Sequence, residues 1–225
     1  VYSTDLALHV LSKKYEVSVL TGMPHYPWWK IPEKFSHLNT GEQDFQGLKL
    51  FRVGHAIPPK SNALGRARLE FSFWRQGRKE LKRICADEYD LVIAIMPTVA
   101  SGLLARMVAR KSRILGIVIF QDVTSLGALQ SGMPGARFLY RVAKFLEVRA
   151  AKWATKLIVV SDEMSRVVNQ LVDGKVSTAV VHNYSTVKNT VEERLASRSF
   201  FGISPDTYLI VHTGNIGFKQ DLLNV

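Results

Sequence analysis

The sequence predicts an α/β protein built on a doubly wound parallel sheet. Short apolar runs rich in Val and Ile recur along the chain, separated by stretches with helical character. The runs do not alternate with polar residues, which is typical of strands buried on both faces of a parallel sheet. Regular alternation of such strands with helices favours the doubly wound architecture.

Each element is assigned from its apolar pattern and from the polar or glycine-containing turn that follows it. A further short helix could lie within Val187–Ser197, in a polar stretch that serves best as a linker. The predicted strands are Val17–Leu20, Leu48–Val53, Leu91–Met96, Ile114–Phe120, Leu157–Val160, Val176–Val181 and Tyr208–His212. The predicted helices are Thr4–Lys13, Arg66–Ala86, Val99–Ala109, Ala136–Ala154 and Glu163–Leu171.

The two ends of the sequence predict a chain truncated on both sides. It opens inside an amphipathic helix with no strand before it, and Tyr208–His212 begins a βα unit that stops at Val225. A lone strand and one helical turn cannot bury their apolar faces. We therefore expect residues 1–199 to form one domain that lacks its first strand. Residues 200–225 would begin a second domain, with the boundary near Phe200.

Composition restricts the class of protein. The 47% hydrophobic and 22% charged residues exclude wholesale disorder, and the apolar runs are too short to span a bilayer. The single cysteine, Cys85, excludes an internal disulfide framework or a cysteine metal cluster, and it favours a reducing cytoplasmic setting. The six histidines show no metal-ligand spacing, so no structural metal is expected. A net charge of +11 favours anionic partners: nucleic acid, phosphorylated substrates or an acidic membrane face.

Candidate binding residues follow the predicted strands, because ligands of open parallel sheets bind beyond the carboxyl ends of the strands. The loop Thr21–Phe35 could fold over its own aromatic rings, or it could offer a platform for a sugar or a lipid phosphate. Asp122 could cap the next helix or orient an acceptor hydroxyl, with Gln121 as a second polar contact. The candidate platform residues of the loop are His25, Tyr26, Trp28, Trp29 and Lys30.

Two further segments carry charge or glycine in meaningful positions. The turn after the last predicted strand contains Gly214, Asn215, Gly217 and Lys219, whose backbone N–H groups and charge suit a phosphate. The helix Arg66–Ala86 has one apolar face and one basic face. The basic face could simply be solvated, or it could dock on anionic lipid with Phe71 entering the interface. Its candidate docking residues are Phe71, Arg75, Arg78, Lys79 and Lys82.

Four stretches together resemble the retaining glycosyltransferases of family 4, which have the two-domain GT-B fold, and most of all members of the WcaI/WbuB type that build surface polysaccharides. With the spacing between them, they extend over nearly the whole chain. They are STDLALHVLSKKYEVSVLTGMPHYP, VIFQD, LIVVSDEM and HTGNIGFKQDLL.

The resemblance implies a Rossmann-like N-terminal domain that binds the acceptor, and the start of a C-terminal domain that binds a UDP- or GDP-sugar without an obligatory metal. It maps Asp122 onto the acceptor-side His or Asp of the family and Gly214–Gln220 onto the first donor loop. Relatives often carry Arg and Lys in that loop, where this chain has Asn215 and Gln220. The paired glutamates that hold the donor would lie beyond Val225, so the chain alone is expected to be inactive.

The resemblance also implies a lipid-linked saccharide acceptor and peripheral contact with the cytoplasmic face of the cell membrane. Two other interpretations remain open at this point. A non-catalytic basic α/β module could bind nucleic acid or another polyanion, although the basic residues are dispersed and match no nucleic-acid motif. A dinucleotide-dependent oxidoreductase would need a GxGxxG turn, and none follows any strand of this sequence.

Overall fold

A computed structural model of the chain describes residues 2–36, 40–59, 62–85, 89–126, 136–184 and 191–212. The backbone divides into two compact units, Val1–His182 and Asn183–Val225. The helices are α1 Tyr2–Ser12, α2 Ala63–Ile84, α3 Val99–Ser112, α4 Ala136–Ala151, α5 Asp162–Leu171 and α6 Val191–Phe200, with a 3₁₀ turn at Glu33–Phe35. The strands are β1 Ser18–Gly22, β2 Gly41–Phe45, β3 Leu48–Val53, β4 Leu91–Met96, β5 Leu115–Phe120, β6 Lys156–Val159 and β7 Ser177–Val180.

The strands of the first unit form two sheets. One sheet has the order β1-β3-β2, with β1 parallel and β2 antiparallel to β3. The other has the order β4-β5-β6-β7 and is parallel throughout. Parallel neighbours joined through helices confirm the predicted Rossmann-like α/β class.

A shared core holds the two sheets together. Phe51 and Val53 of β3 pack with Phe73 of α2 and Leu104 of α3, and Val92 of β4 lies against the same cluster. A hydrogen bond of 3.0 Å runs from the Tyr89 hydroxyl, just before β4, to Ser18 Oγ at the start of β1. A second hydrophobic cluster is formed by residues of the parallel sheet and its helices, and it includes the fully buried Val118 and Phe120 of β5.

Local sequence explains where the helices begin. Asn62 caps α2 by accepting a 2.8 Å hydrogen bond from the Gly65 N–H, and Ser161 caps α5 by accepting one of 3.2 Å from the Met164 N–H. Both residues satisfy N–H groups that the first helical turn leaves unpaired. The apolar face predicted for α2 is buried, through Phe73, Gly77, Leu81 and Ile84.

Two predicted features differ from the structure. Strand β2 was not predicted, because its sequence GEQDF is polar; it forms by pairing with β3 through the two-residue turn at Gln46 and Gly47. The predicted strand Tyr208–His212 is wrong, since these residues are exposed and carry no strand hydrogen bonds. A strand needs a neighbour to pair with, and no strand occurs among the described residues of the second unit.

The second unit consists, where described, of α6 and the turns after it. Arg198 stabilises these turns by donating hydrogen bonds of 2.6 Å to Ser204 O and 3.0 Å to Thr207 O. Phe200 and Phe201 make an edge-to-face contact with their centroids 5.0 Å apart. The predicted domain boundary near Phe200 stays a prediction.

Candidate functional site

The aromatic loop after β1 is organised around two histidines. His25 Nδ1 lies 3.0 Å from Met23 O, and the rings of His25 and His55 meet edge to face with centroids 5.0 Å apart. Trp29 lies 5.7 Å from His25 on the other side. The structure therefore brings His25 and Trp29 together, and adds His55, which follows β3.

Glycine at the end of β1 permits this arrangement. A Cβ on Gly22 would lie 2.6 Å from His55 Cδ2, so a larger residue would push the histidine ring away. His55 is also held by Phe73 of α2, with ring centroids 6.1 Å apart. Arg52 of β3 donates a 3.1 Å hydrogen bond to Gly22 O, and burial lowers the pKa of its guanidinium. The loop base is thus rigidly packed against β3 and α2.

The tip of the loop faces solvent. Tyr26 is 65% exposed and Trp28 is 57% exposed, and Lys30 is exposed beside them. Large exposed aromatic rings next to a cation are suited to stacking on a sugar or contacting a phosphate. Loop Thr21–Phe35 therefore combines an anchored base with a free aromatic tip.

Asp122 and Gln121 lie at the carboxyl end of β5, in the parallel sheet. Asp122 is exposed and its Oδ1 accepts a 2.7 Å hydrogen bond from the Val123 N–H, so the carboxylate is held by its own turn. The Gln121 N–H approaches Met96 O of β4 at 3.4 Å. Among the described residues, the hydrogen bonds and ring contacts of the aromatic loop run within the loop and to Arg52 and His55, and none of them reaches Asp122.

A buried glutamate that the sequence reasoning missed lies beneath Asp122. Glu147 of α4 is fully buried and accepts a 3.1 Å hydrogen bond from the Ser125 N–H. Burial raises the pKa of Glu147 most, its hydrogen bonds from Ser125 and Thr124 lower it, and the charge of Asp122 raises it further. The sequence does carry a sign of Glu147: it is a charged residue on the apolar face of the amphipathic helix α4.

The basic face of α2 is exposed as predicted. Phe71 is 62% exposed, and its ring centroid lies 6.0 Å from that of Trp74. The Arg78 guanidinium lies over the Trp74 ring, 4.7 Å from its centroid. Arg75, Lys79 and Lys82 are exposed on the same helix. The face thus mixes cations with a protruding aromatic ring, as an interfacial helix does.

Helix α4 adds a second apolar and basic surface that was not predicted. Phe138 is 69% exposed and Phe145 is 59% exposed, with the Arg149 guanidinium 5.7 Å from the Phe145 ring. Helix α3 packs against both α2 and α4. Burial lowers the pKa of Arg106 most, and the charges of Arg110 and Arg149 lower it further. Positive charge is therefore concentrated between these helices.

The predicted donor residues Gly214, Asn215, Gly217 and Lys219 lie outside the described residues. Within the described ranges, no group of three or more His, Cys, Asp or Glu side chains is arranged to hold a metal ion. No described helix is long and apolar enough to span a membrane.

Comparison with known proteins places this fold among glycosyltransferases. No protein-family profile matches the sequence. The chain is 22% identical, over 231 aligned positions, to the colanic acid biosynthesis glycosyl transferase WcaI of Escherichia coli strain K12; the match covers 100% of this chain and 56% of that protein.

Two solved structures share the fold. Sucrose-phosphate synthase from Thermosynechococcus elongatus matches 91% of this chain and 47% of its own, with a TM-score of 0.66 and 12% identity. Arabidopsis thaliana UGT89C1, complexed with quercetin, matches 90% of this chain and 52% of its own, with a TM-score of 0.54 and 11% identity. The chain thus spans about half the length of these relatives and has the Rossmann-like architecture of GT-B glycosyltransferases, as its sequence resemblance predicted.

Proposed function

We propose that this chain is the acceptor-binding part of a retaining glycosyltransferase. The parent enzyme moves a sugar from a UDP- or GDP-sugar to a lipid-linked saccharide in the synthesis of a surface polysaccharide. The observation that carries the proposal is the exposed carboxylate of Asp122 at the carboxyl end of β5, in a fold similar to GT-B glycosyltransferases. Ligands of such sheets bind at that edge.

Asp122 orients the acceptor hydroxyl in this proposal. Its Oδ1 accepts from the Val123 N–H, which fixes the direction of the carboxylate. Its Oδ2 has no hydrogen bond assigned among the described residues and can accept from a sugar hydroxyl. A carboxylate that accepts this proton makes the hydroxyl oxygen a better nucleophile toward the anomeric carbon. Gln121 supplies a second polar contact beside it.

The aromatic loop holds the saccharide or the phosphate of the lipid carrier. Tyr26 and Trp28 offer exposed rings for stacking, and Trp29 backs His25. When His25 Nδ1 donates to Met23 O, its Nε2 is left as an acceptor for a sugar hydroxyl. Lys30 supplies a positive charge for phosphate.

The donor is held elsewhere in the parent enzyme. We assign the turn with Gly214, Asn215, Gly217 and Lys219 to the donor diphosphate, and we expect no obligatory metal. Because the chain spans about half of its relatives' length, the 225 residues alone should show negligible transfer.

The proposed enzyme works as a peripheral protein at the cytoplasmic face of the cell membrane. The support is the exposed basic face of α2 around Phe71, and the net charge of +11. Polybasic helices with a protruding aromatic ring bind anionic lipid surfaces by combining charge attraction with apolar burial.

The test is binding of a soluble acceptor analogue. Tryptophan fluorescence of the 225-residue chain is followed while a saccharide on a short prenyl diphosphate is added. We expect a saturable change that Trp28→Ala reduces and Asp122→Asn weakens, while Trp153→Phe leaves the affinity unchanged. Adding UDP- and GDP-sugars to the same mixture should give no product.

Absence of any saturable binding by the wild-type chain would refute the acceptor-side assignment. Product formation by the chain alone would refute the proposed need for the rest of the enzyme. Equal loss of affinity in Trp28→Ala and Trp153→Phe would show that the loop has no specific part in binding.

A further inference from the structure

Glu147 occupies an unusual position for a charged side chain. It is fully buried on α4, yet its Oε1 reaches across to the loop after β5 and accepts from the Ser125 N–H at 3.1 Å. The Thr124 N–H and the Ser125 hydroxyl also lower the pKa of this carboxyl. Its Oε2 is buried without a hydrogen-bond partner in the described part of the chain. Burying a carboxyl costs free energy unless hydrogen bonds or opposite charges compensate for its lost hydration.

The neighbouring strand shows the same construction. Glu70 of α2 accepts a 2.8 Å hydrogen bond from the Ala100 N–H, at the start of α3 after β4, and the neighbouring Val99 N–H also lowers its pKa. Burial raises the pKa of Glu70, as it does for Glu147. In each case a carboxylate from an adjacent helix takes the N–H groups with which a helix start would otherwise bind an anion.

The two sites differ in what precedes the capped turn. Residues 124–126 are helical, and Asp122 lies directly before this turn. Before α3 the corresponding segment is Pro97 and Thr98, with no ionisable group. The cap at Glu147 therefore controls the backbone that carries the proposed acceptor residue, whereas the cap at Glu70 serves α3 alone.

We infer that Glu147 is a positioning residue for the acceptor site: by accepting from the Ser125 N–H, it sets the direction in which the Asp122 carboxylate projects from the end of β5. This inference rests on the proposed role of Asp122. A carboxylate suits the task because it is purely an acceptor and can take several N–H and O–H donors at once. The two carboxyls also interact electrostatically, since the negative charge of Asp122 raises the pKa of Glu147.

Glutamine is the sharpest replacement for this glutamate. Glu147→Gln keeps the shape of the side chain, but it replaces one acceptor oxygen by an NH₂ group that cannot accept from an N–H. The carbonyl oxygen of the glutamine can still accept from the Ser125 N–H, but this hydrogen bond is weaker without the negative charge, so Asp122 samples more directions. Glu70→Gln makes the same chemical change in the neighbouring cap and is the matched control.

The experiment combines binding with nuclear magnetic resonance on the 225-residue chain. With the short prenyl-diphosphate saccharide as probe, we expect Glu147→Gln to weaken binding about tenfold. Because Glu147 acts through Asp122, Glu147→Gln with Asp122→Asn should bind no more weakly than Asp122→Asn alone. Glu70→Gln should stay within about twofold of wild type. Additive losses in the double variant, or unchanged binding in Glu147→Gln, would overturn the inference.

A readout without ligand separates this inference from the proposed function. Amide hydrogen exchange at Ser125 should become about tenfold faster in Glu147→Gln. Asp122→Asn should lower the titration midpoint of the Glu147 carboxyl and leave that of Glu70 unmoved. If wild type binds no probe, the proposed function fails, while unchanged exchange and titration would show independently that Glu147 does not hold the Asp122 loop. If Glu147→Gln does not fold, Ser125→Ala removes one donor and should shift binding and exchange in the same direction.

Discussion

Neutralising the basic face of α2 should detach the chain from anionic vesicles. The variant replaces Arg75, Arg78, Lys79 and Lys82, all exposed, by glutamine. Each basic side chain near an anionic surface contributes about 1 kcal/mol, so the four contribute about 4 kcal/mol. Since about 1.4 kcal/mol corresponds to tenfold, partition onto the vesicles should fall on the order of a thousandfold. Phe71→Ala should weaken binding further by removing an exposed apolar ring.

The assay is co-sedimentation with vesicles of phosphatidylglycerol and phosphatidylcholine, at two salt concentrations. Binding of wild type should weaken strongly as salt rises, because the screening length shrinks from about 10 Å at 0.1 M to about 3 Å at 1 M. A control variant replaces Lys13, Lys14, Lys156 and Lys175, which are exposed elsewhere, by glutamine. Both variants lower the net charge from +11 to +7, since each removes four positive charges.

Only the α2 variant should lose binding if the helix is a docking face. Equal losses in the two variants would show that total charge drives association and that α2 has no special part. Salt-dependent binding to random DNA, with none to vesicles, would refute docking and favour the alternative of a basic module that binds nucleic acid.

Three further predictions concern stability, all measured by urea unfolding followed by circular dichroism. Gly116→Ala places a Cβ in a steric clash with the Trp153 ring and should cost about 1–3 kcal/mol, whereas Gly54→Ala, whose Cβ meets its nearest neighbour at 3.5 Å, should change little. Equal effects of the two variants would contradict the packing argument. The pKa of Glu70 in the folded protein is raised above its usual 4.5, so the stability that Glu70 contributes is present at low pH and is lost as the pH rises through the folded pKa. In Glu70→Gln the free energy of unfolding should therefore fall less with rising pH. The same pH dependence in wild type and variant would contradict a raised pKa at Glu70. Asn62→Ala should cost about 1 kcal/mol by removing the cap of α2, and no change in unfolding midpoint would show that the cap is dispensable.

Strands rich in large apolar residues were readily predicted from sequence. Leu48–Val53 and Leu91–Met96 match β3 and β4 at both ends, because such residues favour strands that pack on a core. Strand β2 carries no such signal, since GEQDF is an edge strand that depends on its pairing with β3. Tyr208–His212 shows the converse: an apolar run predicts a strand only where a partner strand exists.

The candidate site was predictable where it depends on strand ends, and not where it depends on packing between distant elements. Asp122 and the aromatic loop follow strands, so their positions follow from the architecture. His55 joins the site through a contact with Met23, 32 residues away in sequence. Glu147 joins it through Ser125, 22 residues away. The outward aromatic rings of α4 were missed because periodic apolar residues on a helix normally indicate a buried face.

The division of the first unit into two sheets has a consequence for handling the protein. Among the described strands, β1 and β4 each have a single hydrogen-bonded neighbour, so each presents a row of backbone N–H and C=O groups along one side. Tyr89 ties the two strands together near their starts through Ser18, which keeps these sides close to a common core. An extended segment from any source can add to such a row without regard to its side chains. Strands β2 and β7 also have a single hydrogen-bonded neighbour among the described strands. Self-association through these four outer strands should therefore limit the usable concentration of the isolated chain, and short strand-forming peptides should compete with it.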